Sequence, residues 1–175
     1  MKMRMRLLHF SILIYSFMGI SSCGNGKVTD KDVDTFISKY NAESFTHFKC
    51  VSISFRDKDF NENIYMVAKQ GGNFPCYVVR YNKSKNEVTN IDDKLLKQVN
   101  LPGYFSDSQI KDLMNNFINY DVQHLSVDSN ENVFISPFFG ENSPALLRLK
   151  VTTNESEVKK GTIYKLYRDN WYISK

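Results

Sequence analysis

Three acid-rich runs have the spacing at which oxygen ligands gather around a hard cation. Asp57, Asp59, Asn61 and Asn63 alternate with other residues, as do Asp30, Asp32 and Asp34, and again Asp128, Asn130 and Asn132. A calcium loop of the EF-hand type also needs Gly at its sixth position for the turn and Glu at its twelfth for bidentate ligation. Here the sixth positions hold Glu62, Thr35 and Val133, and the twelfth hold Ala68, Asn41 and Phe139. The runs therefore read as hairpin turns and helix starts, which favour Asp and Asn because their side chains bond nearby backbone. His47 and His124 stand apart from any H-E-x-x-H or paired-cysteine spacing and read as structural. There is no G-x-S-x-G elbow, and Gly71-Gly72-Asn73 lacks the Lys and Ser/Thr of a phosphate loop. Glu62, Glu131 and Glu141 could pair with an aspartate in a hydrolase cleft, but carboxylate pairs are too common to assign a reaction. The sequence indicates no cofactor, no metal and no catalytic residue.

Two features remain that could carry function. Cys50 and Cys76 form an even pair, which outside the cytoplasm permits a disulfide. If "KCVSISFR", "NIYMVAKQ" and "PCYVVRYN" make a three-strand meander, the first and third strands lie about 9.6 Å apart. Bridged Cα atoms usually lie within about 6.8 Å, so a disulfide requires another strand order and is not favoured. The second feature is "SPFFGENSP", residues 136–144. Phe138 and Phe139 are adjacent and cannot both point inward from an extended segment, while Pro137, Gly140 and Pro144 mark a loop. Aromatic side chains on loops often anchor binding surfaces, which makes Phe138 and Phe139 candidate partner-binding residues. The alternative is one ring plugging the sheet edge and the other lying flat on the surface.

The elements that must position these residues are legible as patterns. "TDKDVDTFISKY" places Val33, Phe36, Ile37 and Tyr40 on one helical face, with Thr29 as N-cap and a Val28–Val33 staple. "SDSQIKDLMNNFINY" adds a Ser106–Gln109 capping box, a Phe105–Ile110 staple and a stripe of Ile110, Leu113, Met114, Phe117 and Ile118. A short helix over Asp92 to Val99 should stop at Pro102 and Gly103. Val51, Ile53 and Phe55 alternate with Cys50, Ser52 and Ser54 as a half-buried strand. "RDKDFNEN" reads as the following turn, and "DVQHLSV", "NVFIS", "ALLRLKV", "GTIYKLY" and "NWYIS" as later strands. One helix, three strands, two helices and five strands predict an α+β domain over residues 29–175. It would be a mostly antiparallel sheet with helices packed on one face.

The first 22 residues differ from all of this. Lys2, Arg4 and Arg6 precede a mostly apolar stretch from Leu7 to Ile20, too short for the roughly 20 residues of a bilayer-spanning helix. That is the form of an export signal. It ends Ile20-Ser21-Ser22-Cys23, which resembles the lipobox of bacterial lipoproteins. The resemblance covers residues 1–23. It implies diacylglycerol on the Cys23 thiol, cleavage before Cys23 and acylation of the new amino terminus, with residues 23–28 as a lipidated tether. In lipoprotein families where Asp after the cysteine retains the protein at the inner membrane, the Gly24 found here would send it to the outer membrane.

Charge excludes one class of partner. The chain carries 23 basic and 19 acidic residues, and three of the basic ones lie in the signal, leaving 20 against 19 in the remainder. No basic face is implied, and with it the electrostatic footprint of nucleic-acid binding is lost. The expectation is a non-catalytic, protein-binding envelope lipoprotein of the immunity-protein or inhibitor kind. The alternative is a small periplasmic hydrolase or ligand-binding accessory lipoprotein.

Overall fold

A computed structural model describes residues 28–71, 74–140, 143–151, 157–159 (backbone) and 161–174. The signal, Cys23 and most of the tether lie outside the described residues. Helix α1 spans Asp30–Tyr40 and begins where local chemistry says it must. The Thr29 hydroxyl accepts from the Asp32 N–H, and the Asp32 carboxylate accepts from the Thr29 N–H at 2.9 Å, a complete capping box. A 3-10 turn, Thr46–Phe48, leads into four strands: β1 Val51–Asp59, β2 Glu62–Lys69, β3 Tyr77–Asn82 and β4 Glu87–Asp92. Helix α2 is a short Lys94–Gln98, and α3, Asp107–Phe117, opens on the expected Ser106–Gln109 box. Six strands follow among the described residues: β5 His124–Val127, β6 Val133–Ser136, β7 Leu146–Arg148, β8 Glu157–Lys159, β9 Thr162–Arg168 and β10 Trp171–Ser174.

The ten strands of the described residues join one sheet in the order β4-β3-β2-β1-β5-β6-β7-β10-β9-β8, and their pairings are antiparallel. Two meanders grow outward from the central β1/β5 pair, where Val51 faces Val127 and Ile53 faces Leu125. On the later side β10 enters between β7 and β9. Alternate strand residues, among them Ile53, Val67, Val79, Leu125, Ile135 and Trp171, share one core with Ile37 of α1, Leu96 of α2, and Met114 and Phe117 of α3. Leu147, Leu149, Tyr164 and Tyr172 form a second, smaller cluster.

The architecture is a sheet-dominated α+β fold with more sheet than the pattern promised. Strands β4 and β8 and the 3-10 turn were not foreseen, and Asp92, expected to open the short helix, instead ends β4. The predicted eight-residue turn after β1 contracts to Phe60 and Asn61, because β1 runs on to Asp59 and pairs it with Glu62.

Candidate functional site

The β1–β2 hairpin departs from regular pleating. Phe55 pairs with Tyr65 and Lys58 with Asn63, with a register shift between Phe55 and Asp57. In an unbroken strand, residues three apart point to opposite faces. Arg56 is the extra residue of a β-bulge, and it brings Phe55 and Lys58 to the same face. Tyr65 then pairs with Val79 and Asn63 with Tyr81, so the face continues onto β3.

Against this face come the end of α3 and its following turn, carrying Phe117, Ile118, Tyr120, Asp121 and Val122. From the other side comes Phe139, on the loop after β6. Together they bound a cleft of about 420 Å³, within the roughly 300–1,000 Å³ of ordinary ligand cavities. Its wall is a chain of edge-on rings: Phe139 on Phe55 at 5.6 Å, Phe55 on Tyr65 at 5.8 Å, and Tyr65 on Phe117 at 5.6 Å. The positive ring edges meet negative faces, the arrangement aromatic quadrupoles prefer.

The polar floor is built from amides and phenols. The buried Asn63 amide donates to the Tyr65 hydroxyl at 2.8 Å, and the Tyr81 hydroxyl donates to Asn86 Oδ1 at 2.6 Å. Because Tyr65 accepts there, its own O–H is left to donate. Burial pushes the Tyr65 and Tyr81 phenols upward, with Asn63 partly opposing the shift at Tyr65, so both are neutral hydroxyls at physiological pH. Tyr120 is pushed up to about 12, by burial first and then by the Glu43 carboxylate, which accepts its O–H at 2.9 Å. Lys58 and Lys83 stand exposed on the rim. Neither forms an ion pair among the described residues, whereas Arg80 on β3 is held by Asp59 at 2.9 Å and Glu62 at 3.3 Å.

Beside Lys58, at the tip of the hairpin, Phe60 is 93% exposed and has φ +49°. Tight two-residue hairpin turns need a positive φ at their first position, which Gly, Asn and Asp accept and a bulky side chain resists. The chain places a phenylalanine there, in water.

The two phenylalanines singled out from sequence divide the work. Phe138 is partly buried, packed against the core and edge-on to Phe36 at 6.3 Å. Phe139 is 58% exposed and lines the cleft. Phe55, expected on the core face, packs partly buried against the core and is also the ring on which Phe139 rests. Cys50 and Cys76 are free thiols, and each precedes one of the outer strands of the β1-β2-β3 meander.

The acid runs serve the fold. Asp128 accepts from the backbone N–H groups of Asn130 and Asn132, both at 2.9 Å. Glu131 meets Lys150 at 2.7 Å and Lys49 at 3.2 Å, and these lysines hold its carboxyl below the usual range. Glu62 takes Arg80 and the Thr89 hydroxyl, while Glu141 lies outside the described residues. Among the described residues no group of three or more His, Cys, Asp or Glu is placed to hold a metal ion. His47 sits in the 3-10 turn, and His124 Nδ1 lies 2.7 Å from the Ser54 hydroxyl across the β1/β5 pairing.

Sequence reasoning missed Lys58, Phe60, Tyr65, Tyr81 and Lys83, and weighed Asn63 only as a cation ligand. Phe60 left a local trace, an apolar ring inside the polar run "DKDFNEN". The others depend on the bulge and on pairing. No family model, curated protein or solved structure matches the chain. Among the described residues no helix is long and apolar enough to cross a membrane.

Proposed function

We propose that the chain is a lipid-anchored bacterial envelope protein whose folded part binds another protein. Its class would be that of periplasmic immunity proteins and inhibitors. The observation that carries the binding half is Phe139: a ring 58% exposed on a loop, braced by Phe55 at the mouth of a ring-lined cleft. Solvent-facing aromatic side chains on rigid supports supply large contact area at low entropic cost, which is why they dominate binding hot spots. In this reading the three helices cover one face of the sheet and hold the cleft's far wall in place.

The anchor half rests on the lipobox resemblance at Cys23. Two or three acyl chains, at about 0.8 kcal/mol per buried CH₂, hold a protein stably where one chain is marginal. From Cys23 to Thr29 is six steps, at most about 20 Å extended, so the domain would work close to the membrane, the outer one by the Gly24 rule. A ligand-binding accessory lipoprotein is the second reading, and the cleft volume of about 420 Å³ favours it.

Metabolic labelling with a fatty acid tests the anchor: label should appear on the wild-type chain and vanish on Cys23→Ser. Continued labelling of the variant would remove the lipoprotein reading. Affinity capture from detergent-solubilised envelopes, repeated with Phe139→Ser, tests the binding half. A captured protein lost with that substitution is expected, and capture indifferent to it would overturn the assigned surface.

A further inference from the structure

We infer that the cleft takes an acidic segment of a protein partner, seating an apolar side chain among Phe55, Tyr65 and Phe139 while Lys58 and Lys83 hold flanking carboxylates. The inference rests on the protein-binding reading and specifies the chemistry of the partner at that surface.

Three observations converge on it. The first is charge. Two lysines stand on the rim without ion pairs among the described residues, and one acid, Asp121, lines the same cleft. Of the neighbouring basic side chains, Arg80 is matched by Asp59 and Glu62 and Lys85 by Glu87, and Lys69 lies over the Phe74 and Tyr104 rings away from the cleft. The uncompensated sign at the cleft is positive, and complementary charge across an interface selects partners and register.

The second is placement. The bulge at Arg56 interrupts the β1–β2 ladder, and with the sequence as it stands it sets Lys58 on the aromatic face rather than the opposite one. Bulges commonly re-aim a side chain beside a functional site. The polar floor agrees, since the Tyr65 hydroxyl accepts from Asn63 and retains its hydrogen for an incoming oxygen. A carboxylate beside an apolar group would find its donors in Lys58, Lys83 and the Tyr65 hydroxyl.

The third is extent. Phe60, 93% exposed, presents its ring outside the cleft, and Phe139, which lines the cleft mouth, still leaves 58% of its surface exposed. Phe60 presents its ring from a backbone conformation that costs energy, and strain of this kind clusters at functional surfaces. Rings that project beyond a cavity contact something larger than its contents. A folded or extended protein segment satisfies that, and a small molecule confined to the cleft does not.

The test uses a synthetic peptide, Ac-Gly-Glu-Glu-(4-fluorophenylalanine)-Glu-Gly-amide, observed by ¹⁹F NMR as the full chain in non-ionic detergent is added. The expected result is saturable broadening of the fluorine line, with the Lys-for-Glu version of the peptide binding at least about tenfold more weakly. Phe139→Ser should weaken the acidic peptide about thirtyfold, as for a central aromatic hot spot. Lys58→Gln with Lys83→Gln should weaken it up to about tenfold, each exposed charge pair contributing less than about fivefold, and should abolish the preference over the lysine peptide. No broadening, equal binding of both peptides, or indifference to the lysine substitutions would overturn the inference. Envelope capture separates the two levels. A partner retained by the double lysine variant but lost with Phe139→Ser removes the acidic-segment inference and leaves protein binding standing. Capture unaffected by either removes both.

Discussion

Phe55 and Lys58 stand on one face of the sheet although they are three positions apart, because Arg56 is an extra residue opposite the Tyr65–Ile64 step of β2. The pairing makes a counter-intuitive prediction. Deleting Arg56 turns the ladder into a regular one in which Phe55 still meets Tyr65 and Lys58 still meets Asn63. The deletion should therefore be tolerated, with unfolding free energy changed by no more than about 1 kcal/mol. Deleting Ile64 on the opposite strand should be far more damaging, because it slips the register and turns the buried Tyr65 and Val67 off the core face. Urea denaturation of the two deletion variants checks this, and equal damage from both would count against the bulge as the positioning device.

Phe60 should cost the protein stability. A left-handed backbone at a residue other than Gly, Asn or Asp is disfavoured by about 1–2 kcal/mol, and this ring recovers little by burial. Phe60→Asn should raise the unfolding free energy by roughly 0.5–1 kcal/mol, read from the urea midpoint at unchanged slope. A destabilised variant would show that the ring packs in solution.

Arg148 closes α1. Its Nη1 donates to the carbonyls of Tyr40 at 3.2 Å, Asn41 at 3.3 Å and Glu43 at 2.9 Å, at and just beyond the helix end where intrahelical donors run out. The guanidinium lies over the Phe45 ring at 4.8 Å and the Trp171 ring at 5.5 Å. A lysine ammonium can supply charge there but not a planar stack with several fixed donors. Arg148→Lys should lose about 1–2 kcal/mol and Arg148→Met somewhat more. The fluorescence of Trp171, the chain's single tryptophan and fully buried, provides the signal. Full rescue by lysine would refute the stacked arrangement.

Acid should unfold the protein in part through two named carboxylates. The Asp32 carboxyl is held low by the Thr29 hydroxyl and backbone N–H, and the Glu131 carboxyl by Lys150 and Lys49. A folded pKa below the unfolded one contributes stability above the unfolded value, about 3.9 for Asp and 4.3 for Glu, and loses it as pH falls through the folded value. Urea midpoints should therefore drop on acidification below about pH 4. The drop should be shallower in Asp32→Asn and Glu131→Gln, which lack the titrating group. An unchanged acid limb in both variants would remove these residues from the account.

The helices were legible because their signals are local. Thr29 and Ser106 announce their helices within four residues, and the stripe of Ile110, Met114 and Phe117 follows from period alone. Strand β4 was not legible for the reason that hid the cleft. Its Val88 and Ile91 are three apart, which denies a strand's period of two, yet they oppose Tyr81 and Val79 on one face across a second register shift. The cleft is non-local as well: Phe139 meets Phe55 from the far side of the β1/β5 seam. A pattern read along the chain can flag a loop phenylalanine. It cannot say which distant ring will brace it.

Phe138 and Phe139 provide the sharpest separation of structure from function. Phe138 is partly buried, packs against the core and touches Phe36 edge-on, so Phe138→Ser removes contacts and leaves a partial cavity. It should destabilise the fold by about 2 kcal/mol, below the roughly 3–5 kcal/mol of a fully buried phenylalanine. Phe139 makes its ring contact with Phe55 and exposes 58% of its surface. Phe139→Ser should cost at most about 1 kcal/mol in stability, while removing any partner that seats on the cleft. Melting curves and envelope capture on the two single variants therefore move in opposite directions. A large fall in melting temperature for Phe139→Ser would show that the loop closes over its ring in solution. A normal melt with undiminished capture would leave the exposed ring without the role assigned to it.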